Sequence, residues 1–139
     1  MYTYTNLTPF TYTCKKGTRQ FNYFTSKFIS IYNNTIIIFP GYSWTGSIPF
    51  INLFGLALSL PIIGIPVRNA SMVHSAIYKY AGMHDLTKKE ADKVFSDLMS
   101  HYDFKLSWLY LGALKIFGSY YWNKNLKFNN AKYLNNKSE

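Results

Sequence analysis

The hydrophobic and polar positions change rhythm twice along the chain. From Phe21 to Phe39 β-branched and aromatic residues are dense, and "FISIY" and "TIIIF" flank Asn33-Asn34. Two such runs around a two-residue asparagine turn predict a β-hairpin. "PGYSWTGSIP" then brings Pro40, Gly41, Gly46 and Pro49 together, which is loop punctuation. From Ala70 to Tyr80 the rhythm is helical. Asn69 is placed to cap this helix, Met72, Val73, Ala76, Ile77 and Tyr80 form its apolar stripe, and Gly82 closes it. "TKKE", Thr87 to Glu90, is a capping box opening a second helix, whose buried face is Ala91, Val94, Phe95, Leu98 and Tyr102. A third helix is predicted over about Ser107 to Phe117, ended by Gly118, with a frayed Lys/Asn tail after Trp122.

These elements predict an α+β fold. An N-terminal β-hairpin and irregular half pack on an antiparallel helix pair, with a third helix behind. Residues 1–20 are polar and Thr/Tyr-rich, and read as an irregular N-terminal arm or an edge strand. Residues 21–122 form the single domain, and 123–139 a basic polar tail. The apolar run "FINLFGLALSLPIIGIPV" approaches the ~20 residues needed to span a membrane. Pro49, Pro61, Pro66, Gly55 and Gly64 interrupt it and favour a short core helix around 50–59 with buried turns. Both readings of 48–67, buried core and membrane insertion, stay open on the sequence.

Charge narrows the chemistry. The net charge is +9, which draws the chain toward an acidic protein, anionic lipid or nucleic acid. All six carboxylates lie at or beyond Asp85, so no paired-carboxylate or carboxylate metal site can be built from residues 1–84 alone. Cys14 is the only cysteine, which excludes an intrachain disulfide and a Cys-rich zinc site. The aromatic share, 19%, reads as codon bias before it reads as a binding surface. MYTYTNLTPF lacks the basic and apolar regions of a secretory signal.

The candidate chemistry sits on the two central helices. With a short loop between them, Asp92 can face His74 and fix its tautomer, and Tyr78, one turn on from His74, can donate to the same carboxylate. Such a trio is an oriented general base or, more commonly, a satisfied polar pair holding two helices together. His84 and His101 match no common metal-ligand spacing and read as loop and surface residues.

Four blocks occur in order: "PGYSWTGSIPF", "VHSAIY", "TKKEADKVFSDLM" and "LYLGALKIFGSYYW". Over about residues 36–122 this resembles a phage-borne family catalogued as a domain of unknown function. Its members read P-x-G-F-x-x-D-G-A-S-I-P, H-D-x-x-Y and A-D-x-x-F-x-x-x-M. The middle blocks are also similar to the H-D-x-x-Y pattern of phospholipases A2. The resemblance implies that His74 matches the water-activating histidine, Tyr78 its supporting tyrosine and Asp92 the orienting aspartate. It also places Ser75 where the calcium-binding aspartate stands, and Trp44 or Thr45 where an earlier acid stands. With both acids of the cation site replaced, no cofactor or metal is expected here, although active relatives are expected to use calcium. Arg68 and Lys79 are the nearest basic residues in sequence that a cationic replacement for the metal could draw on, and no spacing rule places either of them.

The expectation is therefore a non-catalytic bacteriophage accessory or virion-associated protein on a degenerate phospholipase-A2-like scaffold, binding a protein partner. It would reside in the virion or the host-cell cytoplasm. The alternatives are an ester or lipid hydrolase using the His74–Asp92 dyad without calcium, and a membrane-active protein of lysis or genome delivery. An anionic membrane surface is a secondary partner, and nucleic acid enters only through non-specific charge.

Overall fold

The computed structural model describes residues 3–45, 64–101 and 107–137. Six strands precede three helices: β1 (Thr3–Thr5), β2 (Phe10–Thr13), β3 (Phe24–Thr25), β4 (Ile29–Tyr32), β5 (Thr35–Ile38), β6 (Ser43–Thr45), α1 (Gly64–Lys79), α2 (Lys88–His101) and α3 (Ser107–Lys137). β2-β5-β4-β3 form one antiparallel sheet, and β1 pairs β6 in a two-stranded ribbon. The fold is α+β, with α1 and α2 forming the central helix pair.

The hairpin at Asn33-Asn34 is β4–β5. Both asparagines take positive φ, 53° and 57°, the backbone that a two-residue primed turn requires and that asparagine tolerates. The Asn34 side chain also accepts from Phe21 N–H at 2.8 Å and donates to the Arg19 carbonyl at 2.9 Å. It thereby ties the preceding loop to the turn. Alternation then sets the core: Ile29, Ile31, Ile36 and Ile38 all face inward and are fully buried. Each contributes about 1.5–3 kcal/mol through burial.

The N-terminal twenty residues are more regular than an arm. β2 is an edge strand of the sheet, and β1 reaches across to β6, with Tyr4 opposite Trp44. Asn6 fixes this closure, donating from its amide to the carbonyl of Phe39 at 2.9 Å. A strand pair separated by some forty residues leaves no local signal.

α1 begins at Gly64, earlier than the predicted cap, so Asn69 lies within the helix. Pro66 is no obstacle, because N–H groups in the first turn have no intrahelical acceptor. The stripe of Met72, Val73, Ala76, Ile77 and Tyr80 is buried as the periodicity requires. Gly82 ends the segment in the left-handed region, φ 83°, and a Cβ there would collide with Leu126. α2 opens with its capping box: Glu90 N–H donates to Thr87 Oγ1 at 3.2 Å and Thr87 N–H to Glu90 Oε1 at 3.0 Å. Ala91, Val94, Phe95, Leu98 and Met99 are its buried face. The Tyr102 side chain, the helix expected at 50–59 and most of the 48–67 run lie outside the described residues. Among those that are described, no helix is long and apolar enough to cross a membrane.

The third helix departs most from its prediction. It does not stop at Gly118, and the tail does not fray after Trp122, since α3 continues to Lys137. Asn125 donates to the carbonyl of Tyr78 at 3.0 Å, and Asn129 to those of Lys79 and Ala81 at 3.0 and 2.9 Å. The Tyr78 and Lys79 carbonyls lie in the last turn of α1 and that of Ala81 just beyond it, where intrahelical donors run out. One helix thus supplies the other's C-terminal cap.

Candidate functional site

The site assembles where the three helices meet. His74 leaves α1 toward α2, and its Nε2 lies 2.8 Å from Asp92 Oδ1. Tyr78, one turn later, donates its hydroxyl to the same Oδ1 at 2.7 Å. The sequence-predicted trio is therefore brought together by side chains one turn apart on α1 and a single carboxylate on α2. The ring of His74 is packed between Tyr78, with centroids 4.1 Å apart, and Phe95, edge-on at 5.2 Å.

A fourth member was missed. Lys88 donates to Asp92 Oδ2 at 2.7 Å, an i,i+4 pair on α2. The i,i+4 spacing is present in the sequence, but Lys88 also belongs to the capping box, which masks it. Gly118 is the fifth. A Cβ at this position would lie 2.7 Å from the Tyr78 hydroxyl and 3.1 Å from Lys88 Cε. Glycine is needed here for close approach to the Asp92 cluster, which is why it sits mid-helix instead of ending the helix.

The protonation states follow from burial and partners. Burial pushes the His74 imidazole below its ordinary range, and this outweighs the upward pull of Asp92. Burial opposes ionisation of Asp92, yet hydrogen bonds from His74, Lys88 and Tyr78 together hold its carboxyl low. Burial, and then the bond to Asp92, push the Tyr78 phenol up. The cluster is thus a neutral imidazole donating from Nε2 to an ionised aspartate, with Lys88 as counter-ion. Nδ1 of His74 has no hydrogen-bond partner among the described residues.

The expected cation position has different chemistry. Ser75 Oγ lies 2.7 Å from the Tyr42 hydroxyl, a bond between two neutral groups. Burial drives the Tyr42 phenol up to about 12, with the Ser75 bond opposing it, so it remains protonated at neutral pH. Trp44 is buried and stacks between Tyr42 (6.1 Å, 7°) and Tyr4 (5.7 Å, 29°). Its Nε1 has no acceptor among the described residues. Thr45 ends β6 opposite Thr3. No cluster of three His, Cys, Asp or Glu able to hold a metal occurs among the described residues. Arg68 and Lys79 each stand over aromatic rings. Arg68 lies over the Tyr4 ring at 5.2 Å, and Lys79 over Phe28 and Tyr42 at 5.2 and 5.8 Å.

His84 is in a loop as expected, but it is buried and not a surface residue. Its Nε2 donates to the Ile77 carbonyl at 2.7 Å, and its Nδ1 accepts from Leu86 N–H at 3.1 Å. These bonds fix the α1–α2 connection. The His101 side chain lies outside the described residues. A separate cavity of about 350 Å³ is bordered by Cys14, Lys15, Arg19, Glu90, Lys93 and Asp97. Its charges pair among themselves, and burial raises the Cys14 thiol to about 11, which leaves it a poor nucleophile.

Comparisons with family models, with curated proteins and with solved structures found no match to this chain.

The two buried histidines make a pH dependence calculable in sign. Burial lowers both His74 and His84, so unfolding takes up protons below the unfolded value of about 6.5. Their contribution is fully present above about pH 6.5 and is lost as pH falls beneath it. Asp92 and Glu90 are held low in the fold, Glu90 chiefly by its hydrogen bond from Arg19. Their contribution is lost only further down, below about pH 4. Thermal melts across this range should show two successive declines in Tm. A Tm that stays constant between about pH 7.5 and 5 would contradict the neutral-histidine assignment.

Proposed function

We propose that this protein is a non-catalytic accessory protein, acting by binding a protein partner, on a helix pair that resembles the phospholipase A2 scaffold. The observation that carries this reading is the Ser75–Tyr42 bond of 2.7 Å. The position that would bring carboxylate charge to a cation holds a hydroxyl satisfied by another hydroxyl. Ester hydrolysis needs an electrophile at the developing oxyanion, a contribution on the order of several kcal/mol. Lys88, the cation nearest the dyad, is engaged with Asp92. The His74–Asp92–Tyr78–Lys88 cluster then serves to join α1 to α2 and fix their relative position. Exposed Tyr23 and Tyr32, edge-to-face at 6.1 Å, and exposed Leu7 offer a partner the ring-rich surface that protein interfaces favour. The resemblance of the four sequence blocks suggests a bacteriophage setting, in the virion or in the infected cell.

A second reading, an ester or lipid hydrolase, draws on one specific feature. Nδ1 of the neutral His74 is unpaired among the described residues while Asp92 orients the ring through Nε2, as a general base requires.

Calcium calorimetry on the wild type and on Ser75→Asp, with a phospholipid-hydrolysis assay on the same samples, separates the two. We expect no calcium binding and no hydrolysis by the wild type, and measurable calcium binding by Ser75→Asp. Hydrolysis by the wild type that disappears in His74→Ala would replace the binding reading with the hydrolase.

A further inference from the structure

The described carboxylates are all engaged. Asp85 and Glu90 pair with Arg19, Asp92 with Lys88, and Asp97 with Lys15 and Lys93. The excess positive charge is therefore carried by other side chains, and α3 holds much of it. From Phe104 to Ser138 the sequence contains no Asp or Glu. Lys115, Lys124, Lys127 and Lys132 are exposed, and none has a carboxylate within ion-pair distance among the described residues.

The placement of these groups is ordered. α3 packs inward through Gly118, Trp122, Asn125 and Asn129. At 3.6 residues per turn, Tyr120, Lys124, Lys127, Phe128 and Ala131 fall within an arc of about 100° on the opposite side. Tyr120 and Phe128 are 65% and 68% exposed, high for large rings. They stand about 12 Å apart along the axis, with Lys124 one turn from each and Lys127 between them. Tyr120 is further braced edge-on against Tyr121 at 5.2 Å.

We infer that this outer face of α3 binds single-stranded nucleic acid, with bases stacking on Tyr120 and Phe128 and phosphates pairing with the lysines. Ring faces interleaved with cations are the arrangement that accommodates a strand whose bases and phosphates alternate. Other occupants fit less well. A second copy of the same face would be repelled by its own charge. An anionic bilayer calls for a continuous apolar band, and here Lys124 lies between the two rings. Nothing on the face reads base edges, so binding should be independent of sequence. The inference does not depend on whether the His74 dyad is catalytic.

The test uses the full chain and a fluorescein-labelled oligothymidylate, followed by anisotropy over a salt series. We expect binding whose log affinity falls with log salt at a slope of roughly −1 to −1.5 for the two lysines of the face. Tyr120→Ser with Phe128→Ser should weaken binding ~10-fold or more while keeping that slope. Lys124→Glu with Lys127→Glu should weaken it further and flatten the slope. These side chains are exposed, so melts of both variants should match the wild type within about 2 °C, which separates lost binding from lost folding. No binding at low salt, or ring variants that bind as the wild type does, would overturn the inference. So would equally tight, equally ring-dependent binding to phosphatidylglycerol vesicles or to polyglutamate, which would assign the face to lipid or to an acidic protein.

Discussion

Asp92→Ala is expected to destabilise the protein by about 3 kcal/mol, a loss of roughly 10 °C in Tm for a chain of this size. The substitution removes one small side chain but leaves three donors without their acceptor. His74 and Tyr78 are buried, so each unpaired donor carries a desolvation penalty of about 1–3 kcal/mol. Lys88 is less constrained. Its side chain is 23% exposed and can swing outward, so its share is small. Asp92→Asn should lie between wild type and Ala, because the amide oxygen still accepts while the counter-charge for Lys88 is gone. Thermal and urea denaturation measure the effect, and a double-mutant cycle with Tyr78→Phe apportions it. In that cycle the second substitution should cost far less once Asp92 is absent, since the hydroxyl has lost its partner. An Asp92→Ala loss below about 1 kcal/mol would mean that the cluster does not hold α1 to α2.

Phe95→Ala should cost about 3–5 kcal/mol, the largest effect expected of any single side chain here. Phe95 is 1% exposed, sits on the inner face of α2 and forms the edge-on wall of the His74 ring. Truncation removes most of a buried aromatic and leaves a cavity that α1 and α2 cannot close without moving the dyad. Phe95→Leu keeps more of the volume and should cost clearly less. The two substitutions also separate packing from orientation. If Phe95 only fills space, the pH dependence of stability keeps its midpoint in the leucine variant. If the ring also desolvates His74, the leucine variant's upper decline still begins at about pH 6.5 but becomes smaller, because the folded-state value moves back toward the ordinary one. Loss of less than about 1 kcal/mol in Phe95→Ala would show that this part of the core is not packed as described.

Much of the site was legible because it rests on short-range rules. His74 and Tyr78 share a face through helical spacing, and the short connection to α2 brings Asp92 opposite them. The capping box and the Asn33-Asn34 turn were legible for the same reason, since turn and cap geometry are set by a few adjacent residues. Lys88 is harder to read because one residue can belong to two local patterns at once, here the capping box and the i,i+4 pair with Asp92.

The remainder depended on contacts between distant segments. Glycine at 118 reads locally as a helix stop, yet a helix continues through glycine when neighbouring side chains need the space, here those of Tyr78 and Lys88. Asn125 and Asn129 look like helix-poor tail residues until the carbonyls at and just after the end of α1 are placed beside them. His84 has no local mark of burial, and its burial follows from the Ile77 carbonyl and Leu86 amide that the loop wraps around it. The pairing of β1 with β6 likewise joins segments that no periodicity connects. By itself, then, the sequence determined the hairpin, the faces of α1 and α2, and the candidate dyad, all from interactions within a few residues or across one short loop. Only the tertiary structure decided the length of α3, the fourth and fifth members of the Asp92 cluster and the hydroxyl pairing of Ser75. Each of these depends on which partner from a distant segment satisfies a polar group or fills a gap.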